Sequence, residues 1–247
     1  MGTEVSIARL CMLAGKIMLK SGAETYRVED TMNRIAKTYG MEDAQSYATP
    51  TGIHFSIDFS EYTNFMRITN RATDLHKIAE VNSVSRKIAA GELEINKAFS
   101  MLERIDQARL TFPKWMQIIA AAFVSGSFAI MFGGTWPDFI PAFIAGSVGF
   151  AGMLGADRLV DIRFIAEFIG SVIIGVVAIL FMTNGLGASL DKIIIGAVMP
   201  LVPGLHITNA VRDLIAGHLI AGVSKGVEAL LTAFAIGAGV AVIIGFI

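Results

Sequence analysis

Five apolar stretches, each long enough to cross a bilayer, crowd the second half of this chain. Residues 115–136 and 139–156 carry no charged side chain, 164–182 carries only Glu167, 193–211 has none apart from His206, and 229–247 has none. A spanning helix needs about 20 mostly apolar residues. One such stretch fits inside a soluble core, but five in succession do not. The sequence therefore reads as an α-helical integral membrane protein with five transmembrane helices.

The charges divide the chain. It is 54% hydrophobic and 17% charged, against about 25% charged in soluble domains, and its mean hydropathy is +0.62. Residues 1–114 hold 15 of the 20 Lys and Arg and 14 of the 21 Asp and Glu. A domain of ordinary composition, 1–114, thus precedes a transmembrane domain, 115–247. A net charge of −1 gives no reason to expect a nucleic-acid partner. Cys11 is the single cysteine, which excludes an internal disulfide and a cysteine-rich metal site. Glu4 comes early and an amphipathic pattern follows, so the start does not read as a signal peptide.

In the N-terminal domain, Ile7, Leu10, Cys11, Ala14, Ile17 and Met18 recur at helical spacing. A second helix should begin after Gly22, with Ser21 and Glu24 as a capping box and Val28, Met32, Ile35, Ala36 and Tyr39 as its apolar stripe. The period then falls to two. Ile53, Phe55, Ile57 and Phe59 alternate with His54, Ser56, Asp58 and Ser60 as in a half-buried strand. Ser46–Ala48 and Phe65–Thr69 are shorter strand candidates. Leu75 to Ile88 and Ile95 to Ile105 return to helical spacing. The order ααβββαα predicts a cytoplasmic α+β domain.

Loop charge orients the spans. The loop after span two carries Arg158 and Arg163, and the loop after span four carries Arg212 and Lys225; the other two loops carry Lys192 alone. The basic loops and the N-terminal domain share a side, which predicts a cytoplasmic N-terminus and an outer C-terminus. Gly146, Gly149, Gly152 and Gly155 in span two, with Gly237 and Gly239 in span five, suit close helix packing in lipid.

Span four is the most informative stretch. Pro200, Pro203 and Gly204 interrupt it, and His206, Thr208 and Asn209 follow. Such a break frees backbone groups that protein, water or a ligand must satisfy, and broken helices build transporter sites. A merely kinked helix with internally satisfied polar groups is the alternative. Glu167 is the one carboxylate within a predicted span, a proton-relay candidate or a snorkelling side chain. Asp157, Arg158, Asp161 and Arg163 form an interfacial cluster, and Arg212 with Asp213 is a candidate gate pair. In the N-terminal domain Glu24, Arg27 and Asp30 share a helix face, as a solvated ion-pair face would. Thr49-Pro50-Thr51-Gly52 has turn chemistry, with a ligand loop as the other reading. No phosphate loop, metal-ligand spacing or serine elbow is present, so ATP-driven transport and enzymatic activity are not expected, nor is a cofactor or metal.

Several motifs in order resemble the bacterial threonine/serine exporter family. They are Ser21 to Met32, Ala48 to Ile53, Val81 to Arg86, and the Pro200 to Gly204 segment leading to Asn209, Arg212 and Asp213. The resemblance implies proton-driven export of threonine and serine, or succinate export as in related proteins. It implies the longer subunit of the split form, with a shorter membrane subunit or another copy of itself as partner. Pro200, Pro203, Gly204, His206, Thr208 and Asn209 would bind substrate. Glu167, Asp213, Arg212, His218 and Asp157 would couple or gate. Glu24, Arg27, Thr49, Pro50, Thr51 and Gly52 form the family's soluble-domain motif. One departure is Gly217-His218, where the family usually has glycine-aspartate; histidine still titrates near neutral pH. An odd number of spans fits one half of an inverted repeat. The rival readings are a membrane-anchored regulatory or scaffold protein whose soluble domain binds a ligand or partner, and a membrane-attached hydrolase with no visible nucleophile.

Overall fold

In the computed structural model, residues 2–58, 62–108, 111–160 and 163–245 are described. Phe59 and Ser60 of the expected strand, Asp161, and the last two residues of the fifth span lie outside the described residues, as do the side chains of Glu4 and Arg163. The chain falls into two compact units, Met1–Thr111 with Leu205–Gly226, and Phe112–Gly204 with Val227–Ile247. Residues 205–226 therefore pack with the N-terminal residues, where the sequence reading divides the chain only at 114.

The first unit begins with helices α1 (Gly2–Lys20) and α2 (Thr25–Thr38). Strands β1 (Gln45–Thr49), β2 (Gly52–Ser56) and β3 (Asn64–Arg67) follow, then helices α3 (Leu75–Ala89) and α4 (Ile95–Gln107). The strands form one antiparallel sheet in the order β1-β2-β3. Thr49 pairs with Gly52, so Pro50 and Thr51 are the two residues of a hairpin turn. Alternation holds in β2, where Ile53 and Phe55 are fully buried and His54 is exposed. The ladder ends at Ser56, short of the expected strand, although Ile57 stays buried. The apolar stripes of α1 and α2 meet in one core: Leu10, Cys11, Ala14, Met18, Val28 and Met32 are all fully buried.

The expected capping box does not form. Ser21 N–H still bonds Ile17 and Met18 carbonyls as part of the end of α1. Gly22, at φ +81°, then turns the chain, with Gly22 N–H on Leu19 O and Ala23 N–H on Met18 O. This is the glycine-terminated helix end that satisfies the last carbonyls. Glu24 is left as the N-cap of α2, without a side-chain cap bond.

In the second unit, α5 (Lys114–Met131), α6 (Trp136–Val160) and α7 (Arg163–Thr183) precede α8 (Leu190–Val198) and a 3-10 turn, Met199–Leu201. Two further helices follow, α9 (Gly204–Ile215), which belongs to the first unit from Leu205, and α10 (Leu219–Ile244), which is shared between the units. Among the described residues, four helices are long and apolar enough to cross a membrane, or five if the broken pair Leu190–Leu201 and Gly204–Ile215 counts as one span. The break falls at Val202-Pro203, because a proline nitrogen offers no donor to continue the helix. Small residues face inward here. A Cβ at Gly146 would overlap the Ser125 side chain, and one at Gly149 would overlap Ile174. Large apolar side chains such as Phe123, Leu180, Leu230 and Phe234 are exposed, the inside-out pattern expected of a bundle solvated by lipid.

The helices extend beyond the apolar windows. Trp136, expected at the end of the first span, begins α6, and α6 includes Asp138 and Asp157. Glu167 is thus not the only carboxylate in a membrane-length helix. Arg212 and Lys225, expected in a loop, lie in α9 and α10, because a buried network gives them partners.

Candidate functional site

The turn between α1 and α2 exposes carbonyls on one side and the unsatisfied first amides of α2 on the other. The α9–α10 corner meets both. Gly217, at φ +86°, ends α9, with its own N–H on Leu214 O and the His218 N–H on Asp213 O. Two similar glycine turns therefore face each other within the first unit, and the side chains around them interlock.

Asp213 is fully buried. Its Oδ1 accepts the Thr25 N–H at 2.8 Å and its Oδ2 accepts the Thr25 hydroxyl at 3.0 Å. A carboxylate in the last turn of its own helix opposes that helix's dipole; at the first turn of α2 it is favoured. Lys225 is 6% exposed. Its ammonium donates to Asp213 Oδ2 at 2.7 Å, the Ala23 carbonyl at 3.1 Å and Thr25 Oγ1 at 3.2 Å. Those three acceptors use the three donors of an ammonium group. Asn209 Nδ2 donates to the Gly22 carbonyl at 2.9 Å.

A second layer surrounds this pair. Buried Glu24 accepts from Arg212 at 2.6 Å and Arg27 at 3.0 Å. Burial pulls its carboxyl up, but its backbone hydrogen bond and the two arginines outweigh that and hold it below the usual 4.5. On the next turn of α2, Glu29 Oε1 accepts the Ala48 N–H of β1 at 2.7 Å and lies 3.6 Å from His218 Nδ1. Burial pushes Glu29 up, helped by Asp213 and opposed by the Ala48 amide and His218.

The structure thus brings together Glu24, Arg27, Asn209, Arg212, Asp213 and His218 from the expected set. Thr25, Glu29 and Lys225 were missed as site residues. The signal for Lys225 was present: apolar Leu219 to Val223 resume directly after Gly217-His218, which starts a helix before the lysine. Other expected residues stand elsewhere. Asp30 pairs with Arg34. Thr49 Oγ1 bonds the Gly52 carbonyl inside the hairpin turn. His206 is half-buried and Thr208 exposed on α9. Pro200, Pro203, Gly204, Asp157 and Glu167 belong to the second unit, where Glu167 is 3% exposed and Asp157 lies on the surface.

The second unit also holds a carboxylate that the sequence did not single out. Asp138, fully buried, accepts from the Thr135 N–H and hydroxyl, each at 2.8 Å. It also takes the Ala188 and Ser189 amides at 2.7 and 2.9 Å. It ties the start of α6 to the α7–α8 connection. Among the described residues, no group of three His, Cys, Asp or Glu could hold a metal ion.

Four or five helices of membrane length, with large apolar side chains turned outward, define a multi-pass membrane protein. A family profile described as "Putative threonine/serine exporter" matches residues 9–247, and the chain belongs to that family. It is 22% identical to a "Probable threonine/serine exporter" of Mycobacterium tuberculosis, covering 94% of this chain and 44% of that protein. It is 24% identical to the "Probable succinate transporter subunit YjjP" of Klebsiella aerogenes, covering 92% and 89%. It is 23% identical to the "Threonine/serine exporter" of Corynebacterium glutamicum, covering 95% and 50%. The chain thus spans about half the length of the two exporters. No solved structure matches it.

Proposed function

We propose that this chain is one subunit of a secondary transporter that exports threonine, serine or a related small carboxylate such as succinate across the bacterial plasma membrane, driven by the proton gradient. The observation that carries the proposal is the buried Asp213–Lys225 pair in a membrane protein. Ionisable groups buried in such proteins are costly and mark ion or substrate pathways. Asp213 is the coupling carboxylate, Lys225 its counter-ion, and Arg212, Glu24 and His218 gate it. Asp157 and Glu167 are further coupling candidates. Pro200, Pro203, Gly204, His206, Thr208 and Asn209 shape the substrate path. The Thr49–Gly52 turn belongs to the N-terminal domain, 1–114, which faces the cytoplasm in the order ααβββαα; the C-terminus is outside.

The coverage supports a split transporter: the chain matches half of each exporter but most of a protein named as a subunit. The partner is a shorter membrane subunit or a second copy, since five spans make half of an inverted repeat. Efflux from proteoliposomes preloaded with labelled threonine, serine or succinate tests this. Gradient-dependent efflux that requires both subunits and is lost in Asp213→Asn is expected. Absence of efflux from folded, inserted protein with its partner would overturn it in favour of an anchored regulatory role.

A further inference from the structure

A cavity of about 300 Å³ opens in the first unit between α1, β3 and α4. Met12 and Leu13, Met66 and Phe99 make its walls apolar. Two cations stand among them, Arg9 and Lys16. Lys16 is neutralised by Asp106 at 2.6 Å. Arg9 is not: its guanidinium carbon lies 5.6 Å from the centre of the Phe99 ring, and among the described residues no carboxylate pairs with it. A cation over a ring face is held in place without being discharged. Phe65 reaches the cleft only with its backbone edge: it pairs with His54, and the two rings, 4.8 Å apart, share the open face of the sheet, opposite the face that carries Met66.

An apolar cleft of this size with one fixed charge suits a small ligand whose body is apolar and whose head is anionic. We propose that this cleft binds a small monocarboxylate with an apolar body, its carboxylate on Arg9 and its body against Met12, Leu13 and Met66. The site shares no residue with the Asp213–Lys225 network and does not depend on the transport reading.

The test uses the full chain in lipid nanodiscs, labelled with methyl-13C methionine and titrated with 3-phenylpropionate. Met12 and Met66 report from the cleft, and their signals are assigned with Met12→Leu and Met66→Leu. Saturable shifts of both methyls are expected. Binding should weaken at least tenfold in Arg9→Gln and for the uncharged 3-phenylpropanol, and disappear in Leu13→Trp, which fills the cleft. Arg9 is exposed, so its substitution leaves the fold intact. Shifts that never saturate, or that are equal in Arg9→Gln or with the alcohol, would reveal partition into lipid only and overturn the proposal.

Discussion

Lys225 and Asp213 form an ion pair of 2.7 Å with side chains 7% and 0% exposed, and the Thr25 hydroxyl touches both. Removing one partner of a buried pair costs about 3–5 kcal/mol, because the other charge is left uncompensated. Lys225→Met should therefore lower the thermal midpoint of the solubilised protein sharply. Lys225→Met with Asp213→Asn should recover most of the loss, since the amide oxygen still accepts the Thr25 N–H. A double variant as unstable as the single one would contradict this account.

Glu24 and Glu29 should titrate stability in opposite directions. Glu24 is held below 4.5, so its contribution is present above pH 4.5 and is lost as pH falls through the folded value. Glu29 is raised, so its contribution is full below pH 4.5 and is lost as pH rises through the folded value. Thermal midpoints across pH should show Glu24→Gln destabilising at neutral pH but not in acid. Glu29→Gln, which still accepts the Ala48 N–H, should be neutral or stabilising at neutral pH. Matching pH profiles for the two variants would show that the assigned causes are wrong.

The glycines of α6 are not equivalent. A Cβ at Gly146 or Gly149 would run into α5 or α7 side chains, whereas one at Gly155 meets nothing within 4 Å. Overpacking costs about 1–3 kcal/mol, and alanine is the better helix former by up to ~1 kcal/mol. Gly146→Ala should lower the thermal midpoint, and Gly155→Ala should hold or raise it.

Asp138→Ala strands the Thr135, Ala188 and Ser189 amides, at about 1–3 kcal/mol for each group left unsatisfied. Proteolysis or hydrogen exchange at the α7–α8 connection should speed up well before the helices themselves open. Asp138→Asn, which retains one acceptor oxygen, should be milder.

The membrane reading was legible because five apolar runs repeat one constraint, and the N-terminal helices because Leu10, Ala14 and Met18 or Val28, Met32 and Ile35 keep a strict period. Helix ends were less legible. Apolar windows stop at charges, but a helix does not when the charge finds a partner, as Asp138 and Lys225 do. The capping-box pattern at Ser21 and Glu24 misled for a related reason: Gly22 ends α1 one residue later, and Glu24 turns to Arg212, far away in the sequence. Asp213 and Arg212 could be singled out as a charged pair beside a break. One partner of Asp213, the amide of Thr25, is a backbone group that carries no sequence signal.

The Thr25–Asp213 bond joins residues 188 positions apart. When a ribosome has released the first 111 residues, nothing yet made can close the first turn of α2. That closure waits for Asn209, Arg212, Asp213 and Lys225, synthesised after the third membrane helix. The N-terminal unit is therefore closed only after the third membrane helix has been made, and its tight state certifies that α9 and the start of α10 have been made and correctly seated. A chain truncated before residue 205 would carry an open, uncapped α2 for quality-control proteases to find.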